Sequence, residues 1–557
     1  MSETEAKAIE KKVRSEFERN DVSCSDIDVR EFPGETIVIV SVPEPDFQGA
    51  VDLASKLDDL ISGGFITVRK APALSLKTEK NRITSLQDTR VSKLIELLNS
   101  RSRTSEQQPS LRYVKDAAEH LNVAVSRRHH IIFGRRGVGK TALMLEAKKV
   151  AEKGGALTFW INVQTLRHLN AAKAFLSTMN RLCDLPQTVH AQRSRPPASV
   201  DRAKALQSNI EKLLEAKSVD MQRIALLIPQ IQQMIDLLTT EVQSDLYLFF
   251  DDIHYLATDD QPYFLDMLHS ITRDTRAWIK VAGIKHQSRW FIDTPPTGLQ
   301  TTHDAGIIDL DITLEEPKKA KEFLLSILAG YNDEAQVGRA TNFIAGLALE
   351  RLVLASGGVP RDFLSLAAVS IQHARLRSNA RYVGVQDVNE AAGQISKLKS
   401  QEIEDDAASS IGQAQLRLNA LNLLRNFLLE EKQTTFLRID FADKERHTRE
   451  YDLLQSLMDL RLLHLIKGSL SDEHHAGRRY EVYMLDLSQF SGTRLKYGLK
   501  AIDFEKNSLV LKSTGSTTAP RIGDSPKKLL GILRRGPIFE LSTLTPLLGE
   551  RRRKRTL

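Results

Sequence analysis

The apolar positions along this chain change period several times, and each change marks a segment. In residues 1–75, Ile9, Val13 and Phe17 recur at helical spacing, and Pro33-Gly34 makes a turn between alternating runs at Ile27–Phe32 and Thr36–Val42. A second helical set (Val51, Leu53, Leu57, Leu60, Ile61) and a run at Phe65–Val68 complete a small α+β docking domain, of a shape used for both protein and nucleic-acid contacts. Residues 76–108 are polar, with one helix at Val91–Leu98, and end in the linker-like SRSRTSEQQPS.

From residue 109 to 315 the pattern becomes buried runs alternating with helical ones, which predicts a parallel sheet covered by helices. The expected helix Leu111–Val125 leads into the apolar run Ile131–Phe133. Further strands are expected at Ala156–Val163, Leu246–Phe250, Trp278–Gly283 and Ile307–Ile312. Residues 165–240 read as a helical insertion padding the sheet, broken by VHAQRSRPPAS at Val189–Ser199. Residues 316–400 are helical. Over 408–500 a helix (Gln413–Glu431), a strand (Thr434–Ile439), a helix (Thr448–Leu460) and a hairpin (Leu462–Lys467, Arg479–Leu487) make a winged-helix pattern, with Gly468–Arg478 as the wing. Residues 513–557 read as a flexible basic tail that contains an apolar-basic docking segment and ends in RRRKR.

Two stretches carry chemistry. Gly134-Arg135-Arg136-Gly137-Val138-Gly139-Lys140-Thr141 follows a strand and opens the helix Ala142–Val150, the context a phosphate-binding loop requires. Its backbone amides, with the positive end of the helix, suit nucleotide phosphates from Gly134 to Ala142. Lys140 is expected at the β- and γ-phosphates and Thr141 on Mg²⁺. The second stretch, LYLFFDDIH, is a doubly buried strand ending in two acids, at the end of an open α/β sheet where ligands bind. Asp251 is expected to hold Mg²⁺ and Asp252 to orient or accept a proton from the attacking water. Beyond the strand Trp278–Gly283, the polar run Lys285–Arg289 reaches the same edge. In the helical stretch 316–400, Gly357-Gly358 closes one helix, Pro360 opens the next, and Arg361 opposes that helix's dipole, as it would if it faced a nucleotide.

With these motifs (Gly134–Thr141, the strand ending Asp251-Asp252, the strand at Trp278–Gly283, SGGVPRDFL at Ser356–Leu364 and VGVQDVNEAA at Val383–Ala392), residues 109–490 resemble AAA+ ATPases of the origin-recognition initiator group and related STAND ATPases. The resemblance implies a P-loop NTPase parallel sheet with a helical lid, a winged helix and a small N-terminal α+β domain. It makes Lys285 the sensor-1 position and Arg361 the sensor-2 arginine, with Arg273, Arg276 and Arg289 as arginine-finger candidates. The family's second acid is commonly Glu; Asp252 is one methylene shorter, which points to slow turnover and a nucleotide switch.

The 557 residues carry a net charge of +7, which suits an acidic partner without requiring one. Double-stranded DNA is one expected partner, through the winged helix and the basic tail. Its candidate recognition helix mixes Glu450, Asp452 and Asp459 with Arg449 and Arg461, so the STAND-like alternative, a scaffold whose winged helix and termini contact proteins, stays open. Protein partners are expected through the N-terminal domain and tail, together with self-assembly. Cys24 and Cys183 are the only cysteines, which excludes a disulfide framework and fits a reducing cytoplasm. Neither a signal peptide nor a membrane span is expected.

Overall fold

The computed structural model describes residues 3–20, 22, 24, 26–32, 34–42, 46–61, 63–70, 83–100, 114, 119–192, 195–216, 218–301, 303–406, 411–491, 498–513 and 526–549. Residues 101–113, most of the linker before Pro526, and the RRRKR run lie outside them. The chain divides into two compact units, residues 1–84 with 336–342, and the remainder.

In the first unit the helix Glu3–Arg19 precedes β1 (Asp26–Phe32) and β2 (Glu35–Val42), which pair antiparallel; the helix Phe47–Ala54 then leads to β3 (Gly64–Lys70), parallel to β2. One sheet face carries Val38, Val40 and Val42 into a core shared with Val13, Phe17, Ala50 and Ala54, as a period of two requires.

The second unit is built on a five-stranded parallel sheet of β4 (His129–Phe133), β5 (Leu157–Asn162), β6 (Leu246–Asp251), β7 (Ala277–Gly283) and β10 (Ala305–Asp309). Its strand order is β10-β4-β7-β6-β5, so the strand before the glycine loop and the strand ending in two acids are separated by β7. Both faces are buried, which is why these strands read as continuous apolar runs. On one face Leu143, Met144 and Ala147 of the helix Lys140–Lys153 meet Ile132, Phe249 and Ala282. On the other, Phe175 and Met179 of the helix Ala171–Leu182 and Phe264 and Leu268 of the helix Gln261–Thr272 meet Ile131, Leu248 and Ile279. The insertion joins this second core through Leu206 and Ile210 of the helix Ala198–Glu215 and Ile231 and Ile235 of the helix Met221–Val242. A small hairpin of β8 (Phe291–Asp293) and β9 (Pro296–Gly298), not expected from the sequence, follows β7.

The lid consists of the helices Pro317–Ala335, Gly346–Ser356, Pro360–Arg375 and Val385–Asp406. The helix Thr89–Ser100, expected within a polar linker, packs here instead: it buries Val91, Leu94, Ile95 and Leu98, and Leu86 N donates to Ala380 O at 3.0 Å.

C-terminal to the lid, the helix Ile411–Arg425, β11 (Phe436–Asp440), the helix Thr448–Asp459, β12 (Leu463–Ser471) and β13 (Arg479–Leu485) fall where the pattern put them, with sheet order β11-β13-β12. A further hairpin, β14 (Lys500–Glu505) with β15 (Ser508–Ser513), was not expected. The flexible tail expected over 513–557 does not extend to residues 526–549. The stretch 536–539 runs along β11, with Arg438 N donating to Pro537 O at 2.8 Å and Phe539 N to Arg438 O at 2.9 Å. Phe539, Leu541 and Leu544 are buried beside it. Its apolar residues, which made the stretch read as a docking segment within the tail, are buried against this chain's own β11 edge. Among the described residues no helix is long and apolar enough to cross a membrane.

Candidate functional site

Parallel register brings the ends of β4, β7 and β6 to one edge, and the glycine loop leaves β4 there. Gly137 (φ +79°) and Gly139 (φ +111°) adopt backbone that side chains disfavour, so the loop curls and presents Lys140, Thr141 and Ala142 as the first helical turn, whose amides have no partner within the helix. Val138 is buried beneath the curl.

Lys140 Nζ lies inside the loop, donating to the carbonyls of Gly134 (2.7 Å) and Arg135 (3.1 Å). Burial lowers its pKa, against the opposing pull of Asp252, Asp251 and Asp311. Thr141 Oγ1 donates to Asp251 Oδ2 at 2.7 Å, whereas Asp251 Oδ1, also buried, has no hydrogen-bond partner among the described residues. Burial, and then the charge of Asp252, push the Asp251 carboxyl up to about 7. A buried carboxylate oxygen without a partner, beside a hydroxyl, is a hard-oxygen donor set that fits Mg²⁺, and a divalent charge there would reverse the shift.

Asp252 follows in a left-handed conformation (φ 62°, ψ 46°), which turns the chain sharply into the single turn Ile253–Tyr255. Burial raises its pKa, while Lys140, Arg136 and Arg361 act to lower it. Arg136 Nη2 reaches Tyr255 Oη at 3.5 Å. Arg361 arrives from the lid, its backbone N donating to Gly137 O at 3.2 Å, so the first turn of the helix Pro360–Arg375 rests on the glycine loop.

Two expected site residues lie elsewhere. The Arg135 side chain, 2% exposed, turns away from the loop mouth: Nε meets Asp311 Oδ1 at 3.1 Å, and Nη2 donates to Ile312 O at 2.9 Å and Gly357 O at 3.3 Å. It ties the loop to the lid, and its backbone N–H is engaged as well, donating to Asp311 Oδ1 at 2.9 Å. Lys285 is exposed in the turn Lys285–Gln287 after β7. Of the arginine-finger candidates, Arg276 pairs with Asp245 at the opposite end of the strands, and Arg289 pairs with Asp259.

The C-terminal segment packs against this edge, a contact with no counterpart in the linear pattern. Gln287 Nε2 donates to Asp459 Oδ2 at 3.5 Å, and Lys467 meets Glu315 at 2.7 Å. Burial, then the charge of Asp311, push buried Asp459 up to about 7. Beneath the first lid turn lies a buried ionic group. Lys399 Nζ sits 3.1 Å from Asp362 Oδ2 and 3.0 Å from Asp486 Oδ2; Arg461 meets Asp362 at 3.3 Å, and His464 Nε2 lies 2.6 Å from Asp486. Burial opposes ionisation of Asp486, but Lys399 and His464 outweigh it and hold the carboxyl well below its usual range. A side chain on Gly357 would collide with the His464 ring, so that glycine permits the contact. The sequence hints for these residues were faint: Asp311 closes the β10 run, and His254 stands two residues past the acid pair.

No family model matches the sequence, and no curated protein matches it. Among solved structures, the Walker-type ATPase PABY2304 of Pyrococcus abyssi is similar at 13% identity and TM-score 0.38, over 68% of this chain and 97% of that one. The Orc1 protein of Aeropyrum pernix in complex with DNA is similar at 13% identity and TM-score 0.33, over 67% and 90%. A RuvB variant of Thermotoga maritima is similar at 13% identity and TM-score 0.27, over 62% and 80%. The sheet order and the glycine loop define the class independently: the core is a parallel-sheet P-loop fold.

Proposed function

We propose that this chain binds ATP with Mg²⁺, hydrolyses it slowly, and uses the nucleotide as a switch on the lid and the C-terminal segment. The observation that carries this reading is the convergence of the Lys140 ammonium, the Thr141–Asp251 pair and the Arg361 helix on one glycine loop. The loop amides and Lys140 bind and orient the phosphates, the ammonium exchanging its two carbonyl partners for phosphate oxygens. Mg²⁺, held through Thr141 and Asp251, would neutralise charge on the β- and γ-phosphates. Asp252 orients a water whose oxygen bonds to the γ-phosphorus as the bond to the bridging oxygen breaks. That electron pair leaves on ADP, and the water proton passes to the Asp252 carboxylate. Arg361 stabilises charge on the γ-phosphoryl group from the lid side. Lys285, exposed as it stands, acts in this scheme only if the turn closes on nucleotide.

A second reading concerns partners. Of the helix Thr448–Asp459, only Thr448, Arg449 and Asp452 are exposed; its remaining surface faces its own sheet, residues 541–545 and the turn at Gln287. That burial favours the STAND-like alternative, with protein contacts, over duplex DNA on this helix. The experiment for the main reading is calorimetry on folded Lys140→Ala, which removes the loop's only side-chain ammonium. ATP affinity is expected to fall at least tenfold, roughly 1.4 kcal/mol. Unchanged affinity refutes the nucleotide assignment.

A further inference from the structure

The turn after the two acids places an imidazole that the scheme above leaves without a role. His254 is buried, its side chain 5% exposed, and its ring lies against Tyr255 with centroids 4.7 Å apart. Tyr255 in turn meets Arg136 of the glycine loop. The ring is therefore packed beside the glycine loop, where Lys140 and Arg136 are the cations that act on it after burial. Its Nδ1 is buried and makes no hydrogen bond to any described residue, although a protein interior rarely leaves a polar nitrogen so. The group nearest in charge is Asp252, whose Oδ1 lies 3.8 Å from Nδ1.

That separation is too long for a direct hydrogen bond and suits a shared water. A water making two hydrogen bonds of about 2.8 Å spans two atoms 3.8 Å apart with an angle of ~85° at its oxygen, within the range a water accepts. From these contacts we infer that His254 is a catalytic residue of the proposed hydrolysis, holding the attacking water jointly with Asp252. The inference rests on the ATPase reading and deepens it. Asp252 is one methylene shorter than Glu, and a lone short carboxylate leaves the water free to swing about one bond. With Nδ1 carrying the proton, the imidazole donates to one lone pair of the water and Asp252 accepts one of its hydrogens. The other lone pair then points at the γ-phosphorus. The water oxygen bonds to phosphorus, the bridging oxygen leaves with its electron pair on ADP, and the proton passes to Asp252. His254 changes neither its own charge nor its bonding through the step.

The test compares His254→Phe, which keeps the ring packing on Tyr255, with His254→Asn, whose amide nitrogen stands where Nδ1 does. Steady-state turnover and ATP affinity are measured for both, beside the parent and Asp252→Asn. Misplacement of a reacting atom by about 1 Å costs roughly a hundredfold, so the Phe variant is expected to lose ten- to hundredfold in kcat, with ATP affinity within about twofold of the parent. The Asn variant is expected to recover most of that loss. Parental kcat in the Phe variant overturns the role of His254 alone. An Asn variant as slow as Phe also overturns it, because ring packing would then be what matters. If Asp252→Asn turns over like the parent, or the parent binds ATP without turnover, the hydrolytic reading itself fails, and this inference with it.

Discussion

Lys399 offers a sharp perturbation, because its ammonium is enclosed by Asp362 and Asp486 at 3.1 and 3.0 Å and the side chain is only 4% exposed. Lys399→Met removes one positive charge and leaves two buried carboxylates with the Arg461 guanidinium and the His464 ring as their remaining partners among the described residues. Removing one partner of a buried pair costs about 3–5 kcal/mol, and the remaining guanidinium and imidazole place this case near the lower end. About 3 kcal/mol corresponds to roughly a hundredfold shift toward an unseated C-terminal segment. Hydrogen exchange at the Asp486 amide, which donates to Leu462 O at 2.9 Å within the C-terminal segment beside this ionic group, reads the loosening. The defect also depends on pH. His464 is faced by Asp486 from the turn after β13, by Lys399 from the lid and by Arg135 from the glycine loop; burial first, and the Lys399 and Arg135 charges after it, lower its pKa. A histidine depressed in the folded state contributes stability above its ordinary pKa, about 6.5, that is lost as pH falls below that value. Without Lys399 the depression is smaller, so the gap between parent and variant is expected to narrow from pH 8 to pH 6. Exchange within about threefold of the parent at pH 8, or a defect that grows on acidification, would refute the assignment of this group as the seat.

Two further outcomes follow from the site. Asp251→Asn keeps the bond from Thr141 but loses the carboxylate charge; it is expected to retain nucleotide and to lose Mg²⁺-dependent turnover by more than tenfold, checked by phosphate release across a Mg²⁺ titration. Gly137→Ala puts a methyl group 2.7 Å from the Arg361 Cβ on backbone at φ +79°, at a cost of about 1–2 kcal/mol. Calorimetry is expected to show ATP affinity about tenfold weaker; parental affinity would mean that the lid contact plays no part in binding.

The parallel sheet was legible in the sequence because a strand buried on both faces has no polar positions to blur it, and the glycine loop because its spacing matches a mechanism. Reading failed where pairing is distant. Arg135 looks like a loop residue until Asp311, 176 positions later, draws its side chain away. Asp459 reads as a charge on a recognition helix, and only its meeting with Gln287, 172 positions earlier, buries it. His254 was visible beside the acid pair, but nothing in a linear pattern separates a ring aimed into a pocket from one capping a helix. The helix at Val91–Leu98 was recognised by its period, whereas its destination on the lid was masked by polar flanks.

Because residues 536–539 complete the sheet edge at β11, the order of synthesis imposes a delay on this molecule. Arg438 and its partner Gly536 are 98 residues apart, and a ribosome adding about 5–20 residues per second leaves β11 without that neighbour for roughly 5–20 s. An unpaired strand edge is a template for the wrong chain, and the apolar slot for Phe539 and Leu541 stays open for the same interval. The five-stranded parallel sheet, whose last strand ends at Asp309, is by then already made. The growing chain thus passes through a stage that has a finished parallel sheet and glycine loop and an open, adhesive edge on the segment meant to seat against them.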